Sequence, residues 1–269
     1  MNAWRIALFI FFLQSGFYLV GLAQIPIACT SCTKTTKNSP KKLNKNVAIF
    51  PILRKKESDL FRSDTSSKEL IEMLKNRRSY KLKFNTNKSI DIKIIEECIE
   101  LSSWAPSAHN RQHWRYIILD KSDVRETLIA NMNKKLREDL IKDGKSPEFI
   151  QNKINKTNLN FSEAPYLILS CLDETCLDKY LEIERAHSEF IMGVQSVSAS
   201  ATYLLLAFEL KGLSACWYCA PLFVKDMIKK ELNLPEAFIP MAFYTVGYPL
   251  MEQKAPARKK LEKFIFNIE

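Results

Sequence analysis

Hydrophobic residues change their spacing along this chain, and the changes mark its elements. Residues 7–23 read ALFIFFLQSGFYLVGLA, apolar almost throughout and near the length of a membrane span, with Gln14 and Ser15 as interruptions. Periodicity then disappears over 33–66, a Lys-, Asn- and Ser-rich run broken by Pro40 and Pro51 that reads as a linker. Helical spacing begins where Leu70, Ile71 and Leu74 share a face, and it returns over 92–103. Pro106 disfavours helical geometry at Ala105, so that second helix stops there. Short apolar runs at 116–119, 166–171, 214–218 and 241–246 predict buried strands. Between the first two, 120–156 predicts charged helices around a break at Asp143-Gly144-Lys145, with a solvated surface and no chemistry. A long helix is predicted over 182–210. Its second half, 196–208, is small or apolar nearly all round and so must be covered on every side. Gly212 suits the residue that ends it.

The chain divides into a hydrophobic segment, 1–32, a basic linker, 33–66, and a folded domain, 67–269. With 269 residues and 46% hydrophobic content, it can bury one sizeable core. The first segment has three readings: a signal anchor, a cleaved signal peptide ending near Gly21-Leu22-Ala23, or a start assigned too early. Arg5 alone precedes it, whereas Lys34, Lys37, Lys41, Lys42 and Lys45 follow. By the positive-inside rule the domain is expected on the cytoplasmic side, attached to the membrane through residues 6–28 if they are retained. Cys29 and Cys32 form a C-x-x-C with no second pair and no βαβ context.

The formal net charge is +10, but the run 34–56 holds many basic residues and no acidic one. That placement fits a linker rather than a nucleic-acid groove, and no nucleic-acid partner is expected. Only 6 glycines are present and they build no G-x-G-x-x-G or Walker loop, which argues against a Rossmann or P-loop cofactor site. The 3 histidines lie at no metal-ligand spacing, so no metal site is expected. Cys98 reads as core, as do Cys216 and Cys219.

Three stretches carry candidate chemistry. Ala105-Pro106-Ser107-Ala108-His109-Asn110-Arg111-Gln112-His113-Trp114 joins a helix to a strand. Its small polar and amide side chains suit a heteroaromatic ligand rich in donors and acceptors; equally, they can satisfy their own backbone. Arg77-Arg78-Ser79-Tyr80-Lys81 could hold a phosphate dianion or form a solvated helix end. Arg258-Lys259-Lys260-Leu261-Glu262 is by itself a basic tail.

All three resemble segments of the nitroreductase family of FMN enzymes. The loop is similar to Ala-Pro-Ser-x-x-Asn-x-Gln-Pro-Trp, with His113 in place of the usual proline. The first basic stretch resembles the family's Arg-Arg-Ser-x-Arg/Lys, and the tail its closing Arg-Lys-Pro-Leu-Glu. Gly212-Leu213-Ser214-Ala215-Cys216-Trp217 resembles Gly-Leu-Gly-x-x-Trp, with serine at the third position. The Cys-Trp wording and Leu234-Pro235 are similar to nitroreductase-like domains associated with deazaflavin-coenzyme glutamyl ligases.

The resemblance implies an α+β fold with a central mixed or antiparallel sheet flanked by helices, and a homodimer packed through the helix over 196–208. It implies FMN held by Arg77, Arg78, Ser79, Lys81, Pro106, Ser107, Ala108, Asn110, Gln112 and Arg258, with Lys259 in reserve. Arg78 is expected to point away from Arg77, as neighbours on a helix do. The implied activity is ping-pong hydride transfer from NAD(P)H or a reduced deazaflavin to a small nitroaromatic, quinone or related acceptor. No protein side chain is needed as nucleophile or metal ligand. A membrane-attached reductive dehalogenase and a non-catalytic flavin- or deazaflavin-binding module are the alternatives.

Overall fold

Alternate residues of a strand face opposite sides of a sheet, and one strand here is apolar on both. It is the second of four. In a computed structural model, which describes residues 64–81 and 84–266, the chain runs in this order. Helix α1 is Asp64–Asn76, α2 is Ile92–Ser102, and strand β1 is Trp114–Leu119. Helices α3 (Asp123–Lys142) and α4 (Pro147–Ser162) follow, then β2 (Tyr166–Asp173) and α5 (Ile183–Leu210). The chain continues through β3 (Ser214–Tyr218), α6 (Lys225–Glu231) and β4 (Phe238–Gly247). The segment 1–32 with Cys29 and Cys32, the linker up to residue 63, and residues 82–83 lie outside the described residues.

The strands are ordered β1-β2-β4-β3, and every ladder is antiparallel. Leu167, Leu169 and Cys171 on β2 face a core shared with Leu128 and Ile129 of α3, Phe161 of α4 and Ile228 of α6. Ile168 faces the other way, toward Ile95 and Cys98 of α2 and Leu204 and Phe208 of α5. A sheet apolar on both sides must be covered on both, and helices do so. The register slips between Ser170 and Cys171, where Pro240 enters β4. Proline cannot donate to a ladder, and the bulge accommodates it.

Local signals set the helix ends. Asp91 caps α2 by accepting from the amide of Lys93 at 3.0 Å. Gly144, at φ 67°, turns the chain between α3 and α4, and Ser146 with Pro147 starts the latter. Gly247, the last residue of β4, leaves no room for a side chain: a Cβ there would meet Phe84 Cδ1 at 2.5 Å and Pro165 Cδ at 2.9 Å.

The structure adds to three of these readings. The helix α5 is not covered on every side within one chain: Tyr203 is 43% and Ile191 41% exposed. By length and composition α5 could cross a membrane, but it lies here against α2 and the sheet. The shared face of Leu70, Ile71 and Leu74 on α1 is exposed rather than packed. Cys219 is also exposed, since it follows the last residue of β3, whereas Cys98 and Cys216 are buried.

Arg125, at the start of α3, is 1% exposed. Its guanidinium donates to the carbonyls of Phe161, of Ala164 at 2.7 Å and of Pro165 at 3.4 Å. It thereby caps the C-terminal end of α4 with a positive charge, where the helix dipole favours one. Burial lowers its pKa to about 10, which leaves it charged at neutral pH. Arg125→Met should leave these carbonyls unpaired and cost about 1–3 kcal/mol in urea unfolding. Arg125→Lys, which keeps a charged donor, should lose less.

Candidate functional site

The loop between α2 and β1 folds on itself first. Ser107 closes it twice, its carbonyl accepting from Asn110 N at 3.0 Å and its hydroxyl from Gln112 N at 3.1 Å. His109, Asn110 and Gln112 have φ of 53°, 53° and 52°, in the left-handed region. Asparagine and histidine are enriched in that region among non-glycine residues; for glutamine it is strained unless the surroundings fix it.

The surroundings do fix it. Ala108 N donates to Ser196 Oγ of α5 at 3.1 Å. Arg111 Nη1 reaches Glu189 Oε1 at 2.9 Å and Arg111 Nη2 reaches Asp178 Oδ2 at 2.6 Å. Glu189 is 3% exposed, and its Oε1 also accepts from the amide of Asp178 at 3.1 Å. The Asp178 carboxyl is held below its usual range by the same guanidinium. Arg115, on β1, pairs with Asp173 at 2.6 Å. Inside this ring of charges His113 is fully buried, and neither ring nitrogen has a partner among the described residues. Burial, then Arg111, push its pKa below the ordinary 6.5. Asn110, Gln112 and Pro106 stand exposed on the outer side, with Ser107 and Ala108 partly covered.

A second cluster forms where α1 ends. Ser79 bridges to Ala215 of β3, and Tyr80 N donates to Ala215 O at 3.1 Å. A cavity of about 310 Å³ there is lined by Arg77, Arg78, Ser79, Gln253, Lys254, Pro256 and Arg258. Four cations and no carboxylate line it, a donor set suited to a phosphate dianion. Arg78 shares this cavity with Arg77 instead of pointing away, because both residues follow the last helical residue, Asn76. Arg78 Nη1 caps α1 through Lys75 O at 2.5 Å and also donates to Arg77 O at 2.7 Å, while its Nε is buried with no partner among the described residues. Neither Lys81 nor Lys259 lines the cavity. Sequence reasoning missed Gln253 and Lys254, which the tail brings in without any motif of their own.

The structure brings the arginine cluster and the tail together, but not the loop. The loop enters β1 at Trp114, level with Leu172 of β2, which pairs with Ile239 of β4. The cationic cavity meets β3 at Ala215, level with Val246 of β4. These are diagonally opposite corners of the sheet, roughly 14 Å apart across the strands and roughly 24 Å along them.

A model of the nitroreductase family matches residues 74–248. The chain is 26% identical over 207 residues to the iodotyrosine deiodinase of Drosophila melanogaster, covering 74% of this chain and 69% of that protein. It is 22% identical over 203 residues to the candidate NAD(P)H nitroreductase YodC of Bacillus subtilis (strain 168), covering 72% and 96%. In fold it is similar to an iodotyrosine deiodinase bound to FMN and 3-iodo-L-tyrosine, with a TM-score of 0.57, 21% identity, and coverage of 74% and 98%. The family model spans well over half the chain, including both basic Arg77-Arg78 and the loop from Ala105 to Trp114, and the chain belongs to the nitroreductase family.

Proposed function

We propose that the chain is an FMN-dependent oxidoreductase acting as a homodimer, with the domain over 67–269 carrying the activity. The observation that carries this reading is the acid-free cavity of Arg77, Arg78, Lys254 and Arg258. It fits the phosphate of FMN, and Ser79 adds a hydroxyl donor. When bound, FMN supplies the hydride chemistry. Pro106, Ser107, Ala108, Asn110 and Gln112 would meet the flavin ring, where exposed amide groups can donate to its pyrimidine edge. Lys81 and Lys259 would act from outside the cavity as supporting positive charge.

The corner-to-corner separation supports the dimer. One mononucleotide does not span the sheet, so the loop that completes each site would come from a second copy. The partly exposed side of α5, with Ile191 and Tyr203, and the exposed apolar residues of the tail, Leu261, Phe264 and Phe266, offer surface for that contact. The name of the Bacillus subtilis relative favours NAD(P)H as donor, with a reduced deazaflavin as the alternative. The acceptor would be a small nitroaromatic, quinone or related molecule. Reductive deiodination is the second reading, because one relative is named for it; iodide release from 3-iodotyrosine separates the two. The domain would lie on the cytoplasmic side, attached to the membrane through residues 6–28 if they are retained.

The purified chain should be yellow, dimeric by light scattering and bleached by NAD(P)H under anaerobic conditions. Arg77→Ala or Arg258→Ala should weaken FMN by about 1.5–3 kcal/mol, roughly ten- to a hundredfold. Riboflavin, which lacks the phosphate, should be affected far less. Equal losses for both ligands would refute the phosphate assignment.

His113 makes the loop sensitive to acid. Its pKa is lowered in the folded chain, so below the ordinary value of 6.5 the unfolded chain takes up a proton that the folded chain refuses. The stability this ring allows is complete above that value and declines as the pH falls below it. His113→Leu, which titrates in neither state, should therefore lose less stability than the parent between pH 7.5 and 5.5, as measured by urea midpoints.

A further inference from the structure

The helix α5 carries five serine and threonine hydroxyls, and four of them turn back on the helix itself. Ser188, Ser196, Ser198 and Thr202 each donate to the carbonyl four residues earlier, at 2.8–3.0 Å, as such side chains do inside a helix. Ser200 bonds outward instead. Its hydroxyl is fully buried and lies 3.1 Å from Ser102 O of α2 and 3.4 Å from Ser102 Oγ, 98 residues away in sequence. Ser102 Oγ gives its own proton to Ile99 O at 2.7 Å. The single proton of Ser200 is therefore directed at Ser102. The contact of Tyr116 Oη with Ser200 Oγ at 2.8 Å is then one in which the phenol donates. Burial holds that phenol above its ordinary pKa of 10, so the proton is present throughout the neutral range.

These two partners are the two stems of the loop between α2 and β1. Ser102 is the last residue of α2, three before Ala105, and Tyr116 lies two beyond Trp114. One hydroxyl thus clasps the neck of the loop from both sides. One turn earlier on the same face of α5, Ser196 accepts from the amide of Ala108 inside the loop at 3.1 Å. Two turns before that, Glu189 holds Arg111. A single helix face grips the loop at its entry, its middle and its exit.

We propose that Ser200 is a positioning residue for the loop from Ala105 to Trp114, holding both stems so that Asn110, Gln112 and the loop amides meet the flavin ring at a fixed place. The inference rests on the flavin reading for what the loop meets, and on the hydrogen bonds alone for how it is held. Donors already aimed at one point stabilise developing negative charge without reorganising first. A loop free to shift at its neck would therefore favour reduced flavin less. Ser200→Ala opens the neck and leaves the Tyr116 phenol without this partner.

The test uses the full chain loaded with FMN. Bound flavin is equilibrated against a redox dye, and the loop amides are followed by hydrogen-exchange mass spectrometry. Ser200→Ala should move the ratio of reduced to oxidised bound flavin about three- to tenfold toward the oxidised form, and speed exchange of the loop by a similar factor. Tyr116→Phe keeps the ring and serves if the first variant does not fold; it should move both readouts the same way. The double variant should be no worse than Ser200→Ala alone, since both remove one clasp. Ile95→Val trims the same core two turns before Ser102; it should lower the urea midpoint and change neither readout. A Ser200→Ala chain that keeps the parent's flavin ratio would overturn the proposal whatever its stability. So would a flavin shift without faster loop exchange, or an Ile95→Val chain that shifts both readouts as far. A parent that takes up no FMN, but whose loop still loosens in Ser200→Ala, would uphold the clasp and remove the flavin reading instead.

Discussion

A sheet with two apolar faces has to be covered twice, and this constraint arranges everything else in the molecule. Leu167 and Leu169 of β2 point to one layer of helices and Ile168 to the other. With both faces occupied, polar chemistry is confined to the rim of the sheet. The cationic cavity lies beside β3 at one corner and the strained loop precedes β1 at another. The two corners stand apart within one copy, and the proposed site would be completed by a second.

The loop at the first corner holds its shape by electrostatics more than by propensity. Three left-handed residues within four would not persist on a free segment. They persist because Arg111 is clamped between Glu189 and Asp178, and because α5 presents Ser196 to the amide of Ala108. The buried carboxylate of Glu189 is costly without its guanidinium, so each member of the pair holds the other in place. His113 sits among these charges, and among the described residues neither of its ring nitrogens has a partner.

The helices α3 and α4 show how one segment serves two solvents. Outward positions carry charges that pair along the helix or reach neighbours, such as Arg137 to Gln151 at 2.9 Å. Inward, Leu128 and Ile129 fill the core while Met132 and Leu136 border open volume. Arg125 locks the pair by capping the end of α4 from the start of α3. The cavity between them is therefore a by-product of where the core stops, and its apolar lining follows from the same amphipathic pattern.

Local physics was legible in the sequence. Pro106 ended α2, apolar runs marked the strands, Gly212 with φ 68° closed α5, and the three basic and amide-rich stretches were found by wording alone. Those signals reside within a few residues of each other, so no tertiary information is needed to read them. What the sequence did not determine is which distant stretches meet. Gln253 and Lys254 join Arg77 only because the tail folds back beside β3, and no spacing announces it. Arg78 turned toward Arg77 because α1 ended one residue before the pair, a boundary that periodicity does not resolve. The partners of Arg111 lie 67 and 78 residues away, and an ion pair leaves no periodic trace. The cavity of α3 and α4 is empty space, which depends on how far two helices stand apart and is written in no side chain singly.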